Sequence, residues 1–176
     1  IYDLLNHFNK LKDELIEPQS YIEYAAKIDG EEGLKLKEIA RVYLQYQELL
    51  LKNNYMDFAD LSFYANKLLA KRPSCLKKYQ NKYKYILVDE FQDTNYAHFQ
   101  LILKLKREHG NITVVGDDDQ SIYKWRGASL SNILQFENHL KDAKNIVLTQ
   151  NYRSGKNILK SAYDLIQNNN PDRLEV

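Results

Sequence analysis

"YILVDEFQDT", residues 85–94, sets four β-forming residues in a row and follows them with three carboxylates and a glutamine. An apolar run without alternation is the pattern of a strand covered on both faces. The run ends at Asp89 and Glu90, so it delivers two acids to the carboxyl end of a strand, where parallel α/β sheets bind ligands. Residues 112–115 repeat the arrangement, ending in Gly116, Asp117, Asp118, Asp119 and Gln120. Residues 146–148 form a third apolar run, shortly before Arg153. The intervening segments have helical spacing. Thr94 and Asn95 can cap a helix to Arg107, a second helix covers 130–137, and Ser154 can cap a last one with Ile158, Leu159, Ala162, Leu165 and Ile166 inward. Alternating strands and helices predict a layered α/β class.

Residues before this stretch read as helices. Leu4, Leu5, Phe8, Leu11 and Leu15 share one face, and Glu17-Pro18 ends that segment. Ser20 can cap a short helix to Ile28, and Asp29-Gly30 with Gly33 marks a turn. A long helix spans 34–52 with Ile39, Val42, Tyr43, Tyr46, Leu49 and Leu50 on its stripe. Asp57 can cap the next, with Phe58, Leu61, Ala65, Leu68 and Leu69 inward, and Arg72-Pro73 ends it. Ten of the 14 tyrosines lie at or before Tyr85, as helix packing or as a surface for stacking bases. Residues 71–84 hold six Lys/Arg and no acid, either a phosphate contact or a solvated face.

The bulk properties narrow the class. At 44% hydrophobic residues, the 176-residue chain can bury a core, and a net charge of +1 leaves any nucleic-acid contact to local patches. One cysteine, Cys75, excludes an intrachain disulfide and fits a reducing, cytoplasmic setting. No apolar stretch reaches the ~18 residues of a membrane span, and no signal peptide is recognisable. The chain starts on Ile1 rather than methionine, which points to a piece of a longer protein or a processed chain.

Adjacent acids at a strand end suit magnesium and the activation of a water; singly, aspartates there more often cap turns. The usual companion is a glycine-rich phosphate loop. The six glycines are Gly30, Gly33, Gly110, Gly116, Gly127 and Gly155, and only Gly155 precedes a lysine. There the text is "QNYRSGKN", with Gln150 where the loop needs glycine and Asn157 where it needs a hydroxyl. The metal half of a nucleotide site is therefore present without the phosphate half. "SIYKWRGA", residues 121–128, sets Tyr123, Lys124, Trp125 and Arg126 beside the acids. Aromatics among cations can stack single-stranded bases, or the tryptophan can anchor a core. Arg153 is suited to a transferring phosphate or is a surface residue.

Three stretches, "ILVDEFQDTN", "VVGDDDQSIYKWRGA" and "LTQNYRS", match in order and spacing motifs II, III and IV of superfamily 1A DNA helicases. The chain resembles the Rep/UvrD/PcrA type. "MDFADLS" resembles the family's "DFDDL" segment with Ala59 for Asp, and "KDELIEPQSY" resembles the start of its helical insertion. The resemblance implies a helical 1B-like subdomain at 1–56, part of a RecA-like 1A domain with a parallel sheet and flanking helices at 57–143, and the start of a 2A-like segment at 144–176. It implies ATP and Mg²⁺ as cofactors. Asp89, with Glu90, would hold the metal and Glu90 would activate water. Gln120 and Arg153 would contact the γ-phosphate, and Tyr123, Trp125 and Arg126 would hold single-stranded DNA. The implied activity is ATP-driven 3′-to-5′ translocation and unwinding at single-strand/duplex junctions, in DNA repair or replication. The piece alone would be inactive as an ATPase, and it would cover the sheet edge at 112–115 by self-association or rearrangement, or else leave that segment mobile. Two other readings of the same residues are a two-metal nuclease using Asp89, Glu90 and Asp117 to Asp119, and a non-enzymatic DNA-binding module.

Overall fold

The computed structural model describes residues 1–107, 111–121, 140 and 143–168. It is mostly helical with one small parallel sheet, an α/β arrangement. The helices are α1 (Tyr2–Asp13), α2 (Pro18–Ala25), α3 (Gly30–Lys52), α4 (Phe58–Lys71) and α5 (Pro73–Lys82). Strand β1 (Tyr85–Val88) is followed by a 3-10 turn (Phe91–Asp93), α6 (Tyr96–Leu105) and β2 (Asn111–Val114). A second 3-10 turn (Asp118–Gln120) and α7 (Lys156–Ile166) complete the described elements. The 130–137 helix expected from the sequence lies outside the described residues.

One core joins α1, α2 and α3. Phe8, Leu11, Tyr21, Ala25, Ala40 and Tyr43 are buried there, with the Phe8 and Tyr43 rings stacked at 4.9 Å. Offset aromatic pairs of this kind add about 0.5–1.5 kcal/mol beyond their buried area. Tyr21 and Tyr43 are thus packing residues, while Tyr2, Tyr55 and Tyr85 remain exposed. Helix α3 starts four residues earlier than its apolar stripe, at Gly30, because the Asp29-Gly30 pair opens the helix instead of turning the chain away. Gly33 is required there for space: a Cβ at this position would sit 2.0 Å from the Ile28 carbonyl oxygen. Helix α2 likewise starts on Pro18 with Glu17 as its N-cap residue, not at Ser20, since proline fits the first helical turn. Helix α5 also opens on a proline, Pro73, and all its residues stay at least partly exposed.

Helix α4 is rotated relative to the expectation. Asp57 caps it in a full capping box with Asp60, as its sequence position indicated. Leu69 is buried as expected, but the other buried positions are Ala59, Asp60, Ser62, Phe63 and Asn66, whereas Phe58, Leu61 and Leu68 are exposed. The cause is a set of polar anchors. Lys12 of α1 is fully buried and pairs with Asp60 at 2.9 Å and with Asp57. Gln47 of α3 donates to Asp60 at 2.8 Å, and Asn66 donates to the Ala97 carbonyl of α6 at 2.8 Å. A buried charge must be paired, so these contacts outrank the apolar side chains in choosing the inward face.

The sheet contains β1 and β2 in parallel register, Tyr85 opposite Asn111 and Val88 opposite Val114. Both strands alternate half-buried and exposed residues rather than being covered on both faces. Tyr85 is 69% and Leu87 78% exposed, while Ile86 and Val88 are half-buried. The far edge of β2 has no strand partner among the described residues. Residues 146–148 are not a strand: Ile146, Val147 and Leu148 are exposed, and among the described residues no neighbouring strand takes their backbone hydrogen bonds. Helix α7 does form, but Ile158, Leu159 and Leu165 point to solvent rather than inward. Its preceding turn is held by Asn151, whose Oδ1 accepts the backbone N–H groups of Arg153 and Ser154, and its N-cap residue is Gly155, not Ser154.

Candidate functional site

Parallel pairing brings the carboxyl ends of β1 and β2 side by side. The ladder continues past the strands: Val115 N–H donates to Val88 O at 2.8 Å, and Phe91 N–H donates to Val115 O at 2.9 Å. Phe91 is fully buried and packs edge-on against Phe99 of α6, which fixes the turn after β1. Asp89, Glu90 and Gln120 are exposed on this edge, open to a ligand.

Glu90 has a left-handed backbone, φ 49° and ψ 46°. For a residue with a Cβ that conformation costs about 1–2 kcal/mol, and such outliers gather at functional positions. Its carboxylate accepts a hydrogen bond from Gln92 Nε2 at 2.7 Å. Gln92 is 1% exposed, and its Oε1 accepts the Asp117 N–H at 3.1 Å. Asp117 in turn accepts from Asp119 N–H at 3.0 Å and from Gln120 Nε2 at 2.6 Å. Asp117 is thus the cap of its turn, as a lone aspartate there more often is. Gln92 is the residue that sequence reasoning missed. The signal was an amide two residues after an acid pair, able to donate and accept at once.

The Asp89 carboxylate accepts the Glu90 N–H through Oδ1 at 3.0 Å and is otherwise turned to solvent. Magnesium commonly takes one or two carboxylates plus water and phosphate oxygens, so this donor set fits it. Among the described residues no three His, Cys, Asp or Glu side chains assemble a metal-holding group. Asp93, the third acid, has its carboxyl raised by desolvation first and by Glu90 second.

Arg153 lies exposed in the turn before α7, and among the described residues its guanidinium makes no ion pair. The structure therefore joins Glu90 and Gln120 through a chain of hydrogen bonds, with Asp89 adjacent, and does not join Arg153 to them. Tyr123, Lys124, Trp125 and Arg126 lie outside the described residues.

The site is tied to the helical core through α6. Asn95 caps α6 by accepting the His98 N–H at 2.8 Å, and its Nδ2 donates to Asp13 Oδ1 at 2.6 Å. Burial, with Glu14 and Asp57 nearby, pushes the Asp13 carboxyl up from 3.8 to about 6. An acid raised in the folded state binds more protons there than in the unfolded chain, so Asp13 lowers stability as pH rises through about 4 to 6. Asp13→Asn keeps the acceptor and removes the titration. We expect its unfolding free energy to exceed the parent's by roughly 1 kcal/mol above pH 6, discounted for partial exposure, with the gain vanishing below pH 4. Urea unfolding across that range checks the sign.

Among the described residues no helix is long and apolar enough to cross a membrane. Residues 2–141 match the family model described as the UvrD/REP helicase N-terminal domain. The chain is 45% identical over 166 residues to the ATP-dependent DNA helicase PcrA of Bacillus subtilis, covering 94% of this chain and 22% of that protein. It is 50% identical over 138 residues to DNA helicase II of Rickettsia typhi, covering 78% of this chain and 21% of that protein. A probable DNA helicase II homolog of Mycoplasma capricolum is 44% identical over 166 residues, 94% of this chain and 22% of its own length. The chain spans about a fifth of the length of these curated relatives. On the motifs, the strand-end geometry and the match across 2–141, the chain belongs to the UvrD/REP helicase family.

Proposed function

We propose that this chain is the metal-and-water half of the ATP site of a DNA helicase that couples ATP hydrolysis to movement along single-stranded DNA, 3′ to 5′, and to unwinding at junctions. The observation that carries it is the parallel register of β1 and β2, which sets Asp89 and Glu90 beside the Asp117–Gln120 turn at one sheet edge. In this reading residues 57–143 belong to a RecA-like 1A domain, 1–56 to its helical 1B insertion, and 144–176 to the opening of 2A.

When bound, magnesium supplies charge neutralisation at the phosphates, and Asp89 is the residue to hold it. Glu90 takes the proton of the attacking water as the bond to the leaving diphosphate breaks. Gln120 and Arg153 contact the γ-phosphate, Arg153 arriving from the 2A side, and Tyr123, Trp125 and Arg126 hold the strand. The exposed apolar stripe of α7 supports the 2A assignment, because an amphipathic helix needs a surface to bury its stripe. The edge of β2 that has no strand partner among the described residues supports self-association of the isolated chain.

The sequence contains no phosphate loop, so the 176-residue chain by itself is expected to hydrolyse no ATP, with or without single-stranded DNA. A phosphate-release assay checks this. Turnover that Glu90→Gln abolishes would overturn the half-site reading. A longer chain of the same protein carrying a phosphate loop is expected to show DNA-stimulated hydrolysis.

A further inference from the structure

We propose that Gln92 is a positioning residue that locks the Glu90 carboxylate to the turn carrying Gln120, so that the two ends of the site move as one. This rests on the reading of Glu90 as the group that takes the proton from water.

The geometry is specific to an amide. Gln92 sits in the 3-10 turn after β1 and is 1% exposed. Its Nε2 donates to Glu90 Oε2 at 2.7 Å and its Oε1 accepts the Asp117 N–H at 3.1 Å. No other side chain of this length offers a donor to a carboxylate and an acceptor to a backbone N–H together. Without the donor, Glu90 keeps its left-handed backbone but loses the contact that directs its side chain. Without the acceptor, the Asp117 N–H loses its partner, and with it the anchor of the turn in which Asp117 holds Gln120 at 2.6 Å. Four residues, Glu90, Gln92, Asp117 and Gln120, thus form one relay, through the Asp117 backbone N–H and carboxylate, from the water-activating position to the residue facing the phosphate. Misplacing a catalytic group by about 1 Å can lower a rate about 100-fold, so such a relay has kinetic weight.

Two variants separate its halves. Gln92→Glu keeps an acceptor for the Asp117 N–H but sets a carboxylate against Glu90. Gln92→Met keeps the shape and removes both bonds. In the 176-residue chain, amide hydrogen exchange read by NMR is expected to leave Asp117 protected in Gln92→Glu and to speed its exchange at least tenfold in Gln92→Met. In the longer chain with a phosphate loop, both variants are expected to lower kcat about 10- to 100-fold with KM for ATP within twofold. Unchanged kcat in both variants, while Glu90→Gln is inactive, overturns the proposal and leaves the role of Glu90 standing. A rise in KM that matches the loss of kcat, with a lower Tm, also overturns it, because that is the signature of a merely structural residue. Full activity in Glu90→Gln instead overturns the reading of Glu90, and this proposal with it, whatever the exchange data show.

Discussion

Replacing Lys12 with methionine is expected to lower the unfolding free energy by about 3–5 kcal/mol, the range for removing one partner of a buried ion pair. Lys12 is fully buried between two carboxylates, Asp60, itself fully buried, and Asp57. Its ammonium also lies 5.1 Å from the centre of the Tyr46 ring. Methionine fills the same volume, so the loss is electrostatic rather than a cavity. Burial alone raises the Asp57 carboxyl, but hydrogen bonds from Lys12, the Asp60 backbone N–H and Tyr46 outweigh it and hold it below its ordinary value. A depressed acid stabilises the fold above its unfolded pKa, and that contribution is lost as pH falls through the folded one. In Lys12→Met the Asp57 carboxylate has lost this cation, so protonating it relieves the fold. The deficit is therefore expected to be largest at neutral pH and to shrink towards pH 4. Urea midpoints at pH 7 and pH 4 read both effects. A deficit below 1 kcal/mol at pH 7 would show that the cluster does not hold α1 to α4.

The second large effect is chemical. In a longer chain with a phosphate loop, Glu90→Gln is expected to lower ATP hydrolysis about 10²- to 10⁴-fold, the usual contribution of a general base. Glutamine has the shape of glutamate and can still accept from Gln92 Nε2, so the turn should keep its form and Tm should not move. It cannot take a proton from water. Nucleotide and single-stranded DNA binding are expected to persist, measured by fluorescence anisotropy beside the hydrolysis assay. Less than a tenfold loss would remove Glu90 from that role.

Much of the site was legible because strand-end acids lie next to each other in the chain. Asp89 and Glu90 follow a run of β-formers, and Asp57 and Asn95 occupy cap positions whose hydrogen bonds are local. Local bonds leave local signatures. The face of α4 was not legible in this way. Its apolar spacing selects Phe58, Leu61, Ala65, Leu68 and Leu69, of which only Leu69 is buried, whereas Lys12, 45 residues before Asp57, selects Asp60 and Asn66 lies within reach of Ala97. Nothing in a helical periodicity reports a cation on another helix. The expectation of a third strand at 146–148 failed for a related reason: β-formers make a strand only when a neighbour takes their backbone bonds.

By itself the sequence determined the α/β class, the acids at two strand ends, and the missing phosphate loop, because each is written in contiguous residues. Tertiary structure alone decided that β1 and β2 are parallel neighbours, which helix faces turn inward, and that Gln92 bridges Glu90 to Asp117. Except for the local Gln92–Glu90 bond, those are contacts between residues far apart in the chain. They are settled by where buried charges and backbone groups find partners, which no single stretch of sequence records.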